Sequence, residues 1–430
     1  MPLSSGNRLQ SAIDGNPSGT TFCLDAGLYR LTSGLNPKAA DRFVGQLGTV
    51  IDGSELLSGW VQVGGFWVHQ GGTQQPASLP GSCADGTDAC KYPDDVFIDD
   101  TRLVRVLSLA QLGPGEVYVD YSANQVVLAD DPTGHTVEMS TAPIAFNASA
   151  PNVVLQGLTI QKFANVASQP AVRMTDGWVV TNCEIRLNHG SGVNTIGQGG
   201  VLQDSRIDHN GQLGLSGTGS TNARIIDNEI DHNNTAHYDI WWEAGGSKWT
   251  ATTNLLVRGN YVHDNYGSGL WTDIDNVGTT YDGNRVVNNS GNGIFHEISY
   301  AALIENNVVS GNSVVGIEVS ASSDVEVTGN SVSNNGYMGI RLIQEDRGSY
   351  LLTNGFVHDN TVRQCSGYAA GAVRVGSGDE LFNSRNNRFV NNSYVIAGGA
   401  QFEWMRGDRT WVSWNGFGED TSGSETTQGC

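Results

Sequence analysis

The chain has 430 residues, including 56 glycines, and only 16% of its residues are charged. Its formal net charge of −21 argues against nucleic acids and other polyanions as partners, because these are bound by basic patches and the 23 Lys and Arg residues do not cluster. No apolar run approaches the ~20 residues that a membrane helix needs, so we expect no membrane partner. Abundant Gly and Asn with few charges are typical of short strands and turns, and they favour an all-β fold.

Residues 1–53 are predicted to form an N-terminal cap and the first coils of a β-helix. The segment GNRLQSAIDGNPSGTTFCLDAGLYRLT begins with a short amphipathic helical pattern. Such a helix would cover the sheet edge and the apolar core that a first coil otherwise exposes. The opening MPLSSGNRLQ lacks the basic and apolar regions of a signal peptide.

Residues 54–143 interrupt the repeat. Segments such as LSGWVQVGGFWVHQ and GEVYVDYSANQVVLADD alternate apolar and polar residues, as antiparallel hairpins do, and predict a small inserted β-module. Within it, Cys83 and Cys90 bracket the loop CADGTDAC, so we predict a local disulfide. A disulfide indicates an oxidising compartment and therefore a secreted protein. No CxxC pair suggests a zinc site.

Residues 144–416 repeat with a period near 23. A pattern of Asn, one residue and a β-branched or aliphatic residue recurs at Asn182, Asp204, Asn228, Asn260, Asn284, Asn307, Asn330, Asn360 and Asn387, in steps of 22, 24, 32, 24, 23, 23, 30 and 27. Strands this short bury their apolar face only by stacking coil on coil, with Asn side chains bonded in ladders. This predicts an all-β, right-handed parallel β-helix (a solenoid) with a small inserted antiparallel β-module. The alternative of similar period, a leucine-rich horseshoe, lacks its Leu pattern here. The polar segment 417–430 is predicted to be a flexible tail, and the role of its last residue, Cys430, stays open.

Two acids follow aromatic residues in consecutive repeats, in GLWTD and GIFHE, so that Asp273 and Glu297 are 24 residues apart. One coil advances one strand spacing, so equivalent residues are expected ~4.8 Å apart along the axis. Like charges on neighbouring strands are destabilising, and such a pair therefore suggests a function. The alternative is that both are solvated surface acids.

Paired carboxyl groups ~5 to 5.5 Å apart characterise retaining glycosidases, whereas ~6.5 to 9.5 Å characterises inverting ones. One rung therefore predicts retention, with Asp273 as nucleophile and Glu297 as acid/base, its pKa raised by crowded charges and partial desolvation. One coil earlier, DIWWE aligns with GLWTD. This alignment places Glu243 beneath Asp273 as an assisting acid and Trp241 beneath Trp271.

Further residues near this column are candidates for substrate binding. Aromatic faces could stack on sugar rings, His side chains could bond hydroxyls, and cations could bind a hydroxyl, hold a carboxylate ionised or act as the base of a lyase. Glu318 and Arg341 align with Phe295 on the same face. For every candidate the alternative is a structural role in the core or in a surface salt bridge. The set is Trp241, Trp271, His237, Asp239, Lys248, Asp275, His296, Glu318 and Arg341.

No cofactor is predicted, and calcium is the alternative. Hard oxygen ligands on adjacent rungs can reach one ion, as in the β-helix pectate lyases, although no ligand-loop motif is present. The candidate ligands would be Asp239, Asp273, Asp275 and Glu297.

The succession of GLWTD and GIFHE, in a β-helix interrupted near its start by a β-rich insertion, resembles the β-xylosidase family whose β-helix carries a β-sandwich. The resemblance implies a glycoside hydrolase in which Asp273 is the nucleophile and Glu297 the acid/base. More widely, the chain is similar to secreted bacterial β-helix proteins of carbohydrate metabolism.

Three functions therefore compete. The first is a secreted, monomeric, retaining glycoside hydrolase acting on a neutral poly- or oligosaccharide. The second is a β-helix polysaccharide lyase, with or without calcium, that uses Lys248 or Arg341 as base. The third is a non-catalytic glycan-binding protein. Fold alone does not decide among them, because β-helices host all three.

Overall fold

The computed structural model describes residues 1–4, 8–397 and 401–427, and strands dominate it. The chain divides into two compact units. One comprises Met1–Asn194, Ser205–Ser216 and Asn234–Glu243, and the other comprises Thr195–Asp204, Gly217–Asn233 and Ala244–Cys430. None of the described helices is long and apolar enough to cross a membrane.

The first coils contain one helix and short strands. In chain order they are β1 (Pro2–Leu3), α1 (Leu9–Gly15), β2 (Thr21–Leu24), β3 (Gly27–Arg30), β4 (Arg42–Gly45) and β5 (Thr49–Asp52). Helix α1 buries Leu9 and Ile13, which are spaced to share one face. This is the amphipathic helix expected from the sequence.

The inserted module is built from short strands and two 3₁₀ turns, Ala89–Lys91 and Leu109–Gln111. Its strands are β6 (Ser54–Leu56), β7 (Val61–Val63), β8 (Phe66–Gln70), β9 (Val96–Ile98), β10 (Thr101–Arg102), β11 (Val104–Val106), β12 (Glu116–Asp120), β13 (Gln125–Leu128) and β14 (Val137–Ser140). They form two small sheets, in the orders β10-β9-β14-β6 and β11-β12-β13-β8-β7. All neighbours are antiparallel except β11 and β12.

The module has a core of its own, in which Val96, Val117, Val126 and Met139 are buried together. The predicted disulfide joins Cys83 to Cys90. The alternation of apolar and polar residues therefore identified antiparallel pairing correctly.

The remaining coils supply strands to three parallel ladders. The strands as far as α2 are β15 (Phe146–Asn147), β16 (Val154–Gln156), β17 (Thr159–Gln161), β18 (Pro170–Met174), β19 (Val179–Thr181), β20 (Glu184–Arg186), β21 (Ser191–Thr195), β22 (Val201–Gln203), β23 (Arg206–Asp208), β24 (Leu213–Thr218), β25 (Arg224–Ile226) and β26 (Glu229–Asp231), and α2 is Ile240–Glu243.

After α2 follow β27 (Gly245–Thr250), β28 (Leu256–Arg258), β29 (Tyr261–His263), β30 (Leu270–Asp273), β31 (Val277–Asp282), β32 (Arg285–Val287), β33 (Ile294–Glu297), β34 (Tyr300–Glu305), β35 (Val308–Ser310), β36 (Val315–Ser320), β37 (Ser323–Thr328), β38 (Ser331–Ser333), β39 (Met338–Gln344), β40 (Phe356–His358), β41 (Thr361–Gln364) and β42 (Tyr368–Arg374). The last elements are α3 (Glu380–Asn383), β43 (Arg388–Val390), β44 (Ser393–Ile396), β45 (Gln401–Trp404), β46 (Gly407–Arg409), α4 (Trp411–Gly416) and β47 (Ser424–Thr427).

Within the second unit the three ladders run β25-β28-β31-β34-β37-β40-β43, β26-β29-β32-β35-β38-β41-β44-β47 and β27-β30-β33-β36-β39-β42-β45. Consecutive strands in each ladder are parallel, and β46 then pairs antiparallel with β45. Every coil thus contributes one strand to each ladder. This is the parallel β-helix that the repeat predicts.

The asparagine ladder follows the coil axis. The Nδ2 of each asparagine donates to the Oδ1 of the next at 2.9 to 3.0 Å from Asn228 as far as Asn392. Three of the predicted positions are not part of this ladder: Asn387, Asp204 and Asn182, whose Nδ2 donates instead to the Thr181 Oγ1. After Asn360 the ladder continues to Asn392 and not to Asn387. In the first unit the bonding side chain is Ser205, which accepts the Cys183 N–H at 3.1 Å, and not its neighbour Asp204.

The predicted flexible tail differs from the structure over residues 417–427. Strand β47 pairs in parallel with β44. Asp420 is fully buried and accepts hydrogen bonds from Asn392, Tyr394 and Trp414 at 2.7 to 3.0 Å. A polar sequence fits here because an aspartate ends the asparagine ladder. Cys430 lies outside the described residues.

Candidate active site

The two predicted acids lie at the carboxyl ends of adjacent strands, β30 and β33. The register pairs Trp271 with Phe295 and Thr272 with His296, so the next residues, Asp273 and Glu297, occupy neighbouring rungs. This is the register expected from GLWTD and GIFHE. One strand spacing, ~4.8 Å, therefore separates the two backbone positions.

Asp273 is held by a lysine from the preceding coil. Its side chain is buried, and the Lys248 Nζ lies 2.9 Å from its Oδ2. The same Nζ sits 3.9 Å from the centre of the Trp271 ring. Lys248 thus contacts one of the two carboxylate oxygens of Asp273.

Glu297 is 3% exposed, and its environment favours the protonated form. Burial, followed by the charge of Asp273, raises its pKa from 4.5 to about 7. Arg347 forms an ion pair with Glu297 and opposes this rise, but desolvation outweighs the attraction. The site thus holds one carboxyl group whose pKa is raised towards neutrality although it contacts Arg347, beside a second carboxyl group that contacts Lys248.

Arg347 belongs to a loop, residues 345–350, that we call the strap. Besides contacting Glu297, Arg347 Nη2 lies 3.3 Å from the Glu345 carboxylate. The Tyr350 hydroxyl donates to Asp275 at 2.7 Å, and this bond, followed by burial, raises the pKa of Tyr350 to about 12. The strap therefore reaches both the acid/base candidate and the turn that follows the nucleophile candidate.

The strap is anchored at its base by one buried side chain. The Nε2 of Gln344 donates to the backbone carbonyl groups of Glu345 at 2.7 Å and Tyr350 at 3.1 Å. Arg347 and Tyr350 are not among the site residues that the sequence predicts. The feature of the sequence that marks the strap is the 30-residue step from Asn330 to Asn360, which leaves several residues beyond one ordinary coil.

Trp271 does not present a ring face to substrate. It stacks on Phe295 with ring centres 5.3 Å apart and planes 19° apart, and Lys248, from the opposite neighbouring coil, covers the other face. Both rings are buried. The prediction that a sugar stacks on Trp271 therefore fails, and the ring instead supports Lys248.

Glu318 and Arg341 occupy the next two rungs of the same column, as predicted, since Phe295 pairs with Glu318 and Glu318 with Arg341. Arg341 donates to the Glu318 Oε2 from Nε at 3.1 Å and from Nη2 at 2.5 Å. The guanidinium also lies 5.3 Å from the Tyr337 ring centre. These two charges are thus bound to each other.

His296 lies inside the coil and not in the candidate site. Its Nδ1 is 2.8 Å from the Thr272 Oγ1, to which Tyr281 donates at 3.0 Å. Burial lowers the pKa of His296 to about 3. Because strand residues alternate between faces, the aromatic residue and the acid on either side point outward while His296 points inward. The prediction that His296 contacts a sugar is wrong.

The prediction that Glu243 stacks beneath Asp273 is also wrong. The ladder partner of Asp273 is Thr250, and Trp249 pairs with Thr272, so that Lys248 and not Trp241 neighbours Trp271. Glu243 instead ends the short helix α2. The 32-residue step from Asn228 to Asn260 contains this helical segment. The alignment of DIWWE with GLWTD therefore matched helical residues to a strand and gave the wrong register.

The other candidates of that segment also lie outside the ladder. His237 is exposed with a positive φ of 61°. Asp239 accepts the Trp241 backbone N–H at 2.9 Å, and Trp241 is 57% exposed. All belong to the first unit with Glu243, whereas Asp273, Asp275 and Glu297 belong to the second.

The family model for the right-handed β-helix region matches residues 171–332 and 301–412. The chain belongs to the right-handed β-helix family. No curated protein matches it.

Three solved structures illustrate the likeness of fold. XylC, solved in complex with xylose, is 15% identical with a TM-score of 0.73, over 92% of this chain and 82% of XylC. The A-module of the Azotobacter vinelandii mannuronan C-5 epimerase AlgE6 is 16% identical with a TM-score of 0.55, over 98% and 94%. The catalytic unit of the GH87 α-1,3-glucanase from Streptomyces thermodiastaticus strain HF3-3 is 13% identical with a TM-score of 0.55, over 98% and 64%.

Proposed function

We propose that this protein is a secreted glycoside hydrolase that cleaves a neutral poly- or oligosaccharide with retention of anomeric configuration. The observation that carries the proposal is the one-rung pair of Asp273, held by Lys248, and Glu297, buried with a pKa of about 7. A carboxyl group with a raised pKa, one rung from a second carboxyl group held by a lysine, suits an acid/base beside a nucleophile. The names of XylC with xylose and of the α-1,3-glucanase add support for a sugar substrate.

In the proposed first step, a carboxylate oxygen of Asp273 attacks the anomeric carbon while Glu297 donates its proton to the glycosidic oxygen. The C–O bond to the leaving group breaks, and a glycosyl ester forms on Asp273. In the second step Glu297, now ionised, takes a proton from water, whose oxygen attacks the anomeric carbon and releases Asp273. Lys248 stabilises the Asp273 carboxylate at the beginning and end of this cycle.

The charges of the site favour a neutral sugar. The nearby cations are already paired: Lys248 with Asp273, Arg341 with Glu318, and Arg347 with Glu297. A uronate would have to compete with these carboxylates on a protein of net charge −21. For the same reason Lys248 and Arg341, each of which contacts a carboxylate, are not favoured as the base of a lyase.

The test uses aryl glycosides of neutral sugars and neutral oligosaccharides, with wild type, Asp273→Asn and Glu297→Gln, each with and without azide. We expect azide to restore turnover of aryl glycosides in both variants. Azide replaces the nucleophile in Asp273→Asn and attacks the intermediate in Glu297→Gln, so the glycosyl azides should have inverted and retained configuration, respectively.

The matched control is Glu326→Gln, the same kind of change on β37, in a different ladder from the pair. It should keep wild-type activity and give no azide product. A parallel incubation with uronate polymers in ¹⁸O-labelled water covers the alternative: cleavage products that carry a double bond and no label would replace the hydrolase by a lyase. Equal activity in all four proteins would remove the pair from the mechanism.

A further inference from the structure

The inserted module contains a cavity where β11 and β12 lie side by side. Its volume of about 340 Å³ is at the lower end of the range of about 300 to 1,000 Å³ that is typical of small-molecule sites. The lining residues belong to the first unit, and the carboxylate pair belongs to the second. The lining includes three tyrosines and one arginine: Tyr92, Tyr118, Tyr121 and Arg105. An aromatic cavity of this size with a charged side chain is a candidate binding site.

Strand β12 supplies both the module core and the cavity. Val117 and Val119 are buried in the core. Because strand residues alternate between faces, Tyr118 points to the other side, where it is only partly buried. Asp120 ends the strand and accepts backbone N–H groups of the next turn at 3.0 Å, and Tyr121 packs against the core. The two tyrosines thus approach the cavity from different directions.

A buried ion pair fixes the other two tyrosines. Tyr92 and Tyr121 stack with ring centres 5.6 Å apart, and the Arg105 guanidinium lies 5.2 Å from the centre of the Tyr92 ring. The Arg105 Nη2 donates to the Asp94 Oδ1 at 2.5 Å and to the Asp94 backbone carbonyl at 2.7 Å. The Tyr121 hydroxyl donates to the same Oδ1 at 2.8 Å. The rings and the guanidinium are therefore held in one arrangement by the protein itself.

This ion pair retains hydrogen-bonding groups that the protein does not use. The Arg105 side chain is only 9% exposed. In the described part of the chain its hydrogen bonds all come from Nη2, so Nε and Nη1 keep their N–H groups. The Asp94 Oδ2 is also buried without a hydrogen-bond partner among the described residues. Since buried polar groups are normally hydrogen-bonded, unused groups beside a cavity indicate a polar ligand.

We propose that this cavity binds a neutral oligosaccharide, at a site separate from the carboxylate pair. Tyrosine rings offer apolar contact to the C–H groups of a sugar, and Arg105 offers donors to its hydroxyl groups. The charge of Arg105 is neutralised by Asp94, so an anionic ligand would have to compete with that carboxylate. The role of the cavity in holding a polysaccharide during hydrolysis rests on the proposed function, whereas the binding itself does not.

The test uses the full chain carrying Asp273→Asn, so that the ligand is not cleaved. Calorimetry measures the binding of xylotetraose, cellotetraose and mannotetraose, with trigalacturonate as the charged comparison. We expect at least one neutral tetrasaccharide to bind. Arg105→Lys keeps the charge beside Asp94 but offers one nitrogen in place of three. This variant and Tyr118→Ala should each weaken Kd at least tenfold. Binding at the carboxylate pair would appear as a second class of site that both variants leave unchanged.

A matched arginine and tyrosine on another ladder provide the controls. The Arg285 guanidinium lies 4.9 Å from the centre of the Tyr261 ring, and the two residues are paired between β29 and β32. Arg285→Lys and Tyr261→Ala should leave the affinity unchanged, because neither residue lines the cavity.

Unchanged affinity in either cavity variant that folds would overturn the site. Binding of trigalacturonate alone, or of none of the three neutral tetrasaccharides at millimolar concentration, would do the same. Tyr118 is partly exposed, so its variant decides the case if Arg105→Lys does not fold by circular dichroism. None of these results bears on the azide experiment, so the two proposals fail separately.

Discussion

Two neighbouring pairs of charged residues in one ladder are stabilised differently: Glu318 with Arg341, and Asp273 with Glu297. Glu318 and Arg341 are of opposite sign and bind each other directly. Asp273 and Glu297 are of like sign, and each contacts a cation from elsewhere: Lys248 in the preceding coil and Arg347 in the strap. The opposite charges therefore neutralise each other, whereas the like-charged pair requires extra structure: a lysine from the neighbouring strand β27 and an arginine from the strap. That extra structure is the reason to regard it as a functional site.

The largest effect is expected on removing the nucleophile of the like-charged pair. Asp273→Asn should lower kcat by about 10⁴-fold, the scale seen when an essential member of a catalytic set is removed. Because the charge of Asp273 raises the pKa of Glu297, this variant should also lower that pKa, which NMR titration of labelled Glu carboxyl carbons would show. An activity within tenfold of wild type, in a correctly folded variant, would contradict the assignment.

Breaking the opposite-charged pair should instead affect stability. Arg341→Leu leaves Glu318 buried without its partner and should destabilise the protein by about 3 to 5 kcal/mol in urea unfolding. The double variant Glu318→Leu with Arg341→Leu should recover most of that loss, because an apolar pair replaces a buried ion pair. If Arg341→Leu were as stable as wild type, water and not Arg341 would be what stabilises the Glu318 charge.

The sequence predicts which residues pair between coils only where a coil has the ordinary length. Steps of 23 and 24 residues admit no insertion, so aligning GLWTD with GIFHE gave the pairing of Trp271 with Phe295, and the following coils gave that of Glu318 with Arg341. The alternation along each strand could also have placed His296 inside. It was assigned to the site because it adjoins an acid in sequence, although neighbouring strand residues face opposite sides.

The errors and omissions coincide with the long steps. The 32-residue step hides the helix that carries Glu243, and a motif match across it aligned a helical residue with a strand. The 30-residue step hides the strap with Arg347 and Tyr350. Loop residues reach the site through a path that no periodicity encodes, so the sequence could mark where an insertion occurs but not which coil it contacts.

The like-charged pair should also reveal itself through the pH dependence of stability. The pKa of Glu297 is raised from 4.5 to about 7 in the folded protein, so folding favours its proton. This stabilisation is complete below pH 4.5 and is lost as the pH rises to about 7. Since Gln does not titrate, Glu297→Gln should gain about 3 kcal/mol relative to wild type between pH 4 and pH 8. Urea unfolding at both pH values measures it, and a difference independent of pH would contradict the raised pKa.

The smallest effect is expected in the strap, and it separates charge from positioning. The Arg347 charge lowers the pKa of Glu297, so Arg347→Met should raise that pKa and move the alkaline limb of kcat/KM to higher pH. Tyr350→Phe removes only the hydrogen bond to Asp275 and should cost about 1 kcal/mol of stability without moving the limb. If both variants moved the limb equally, the strap would act on Glu297 through its position. A shift in Arg347→Met alone would identify the guanidinium charge as what keeps the acid/base able to lose its proton to the leaving group.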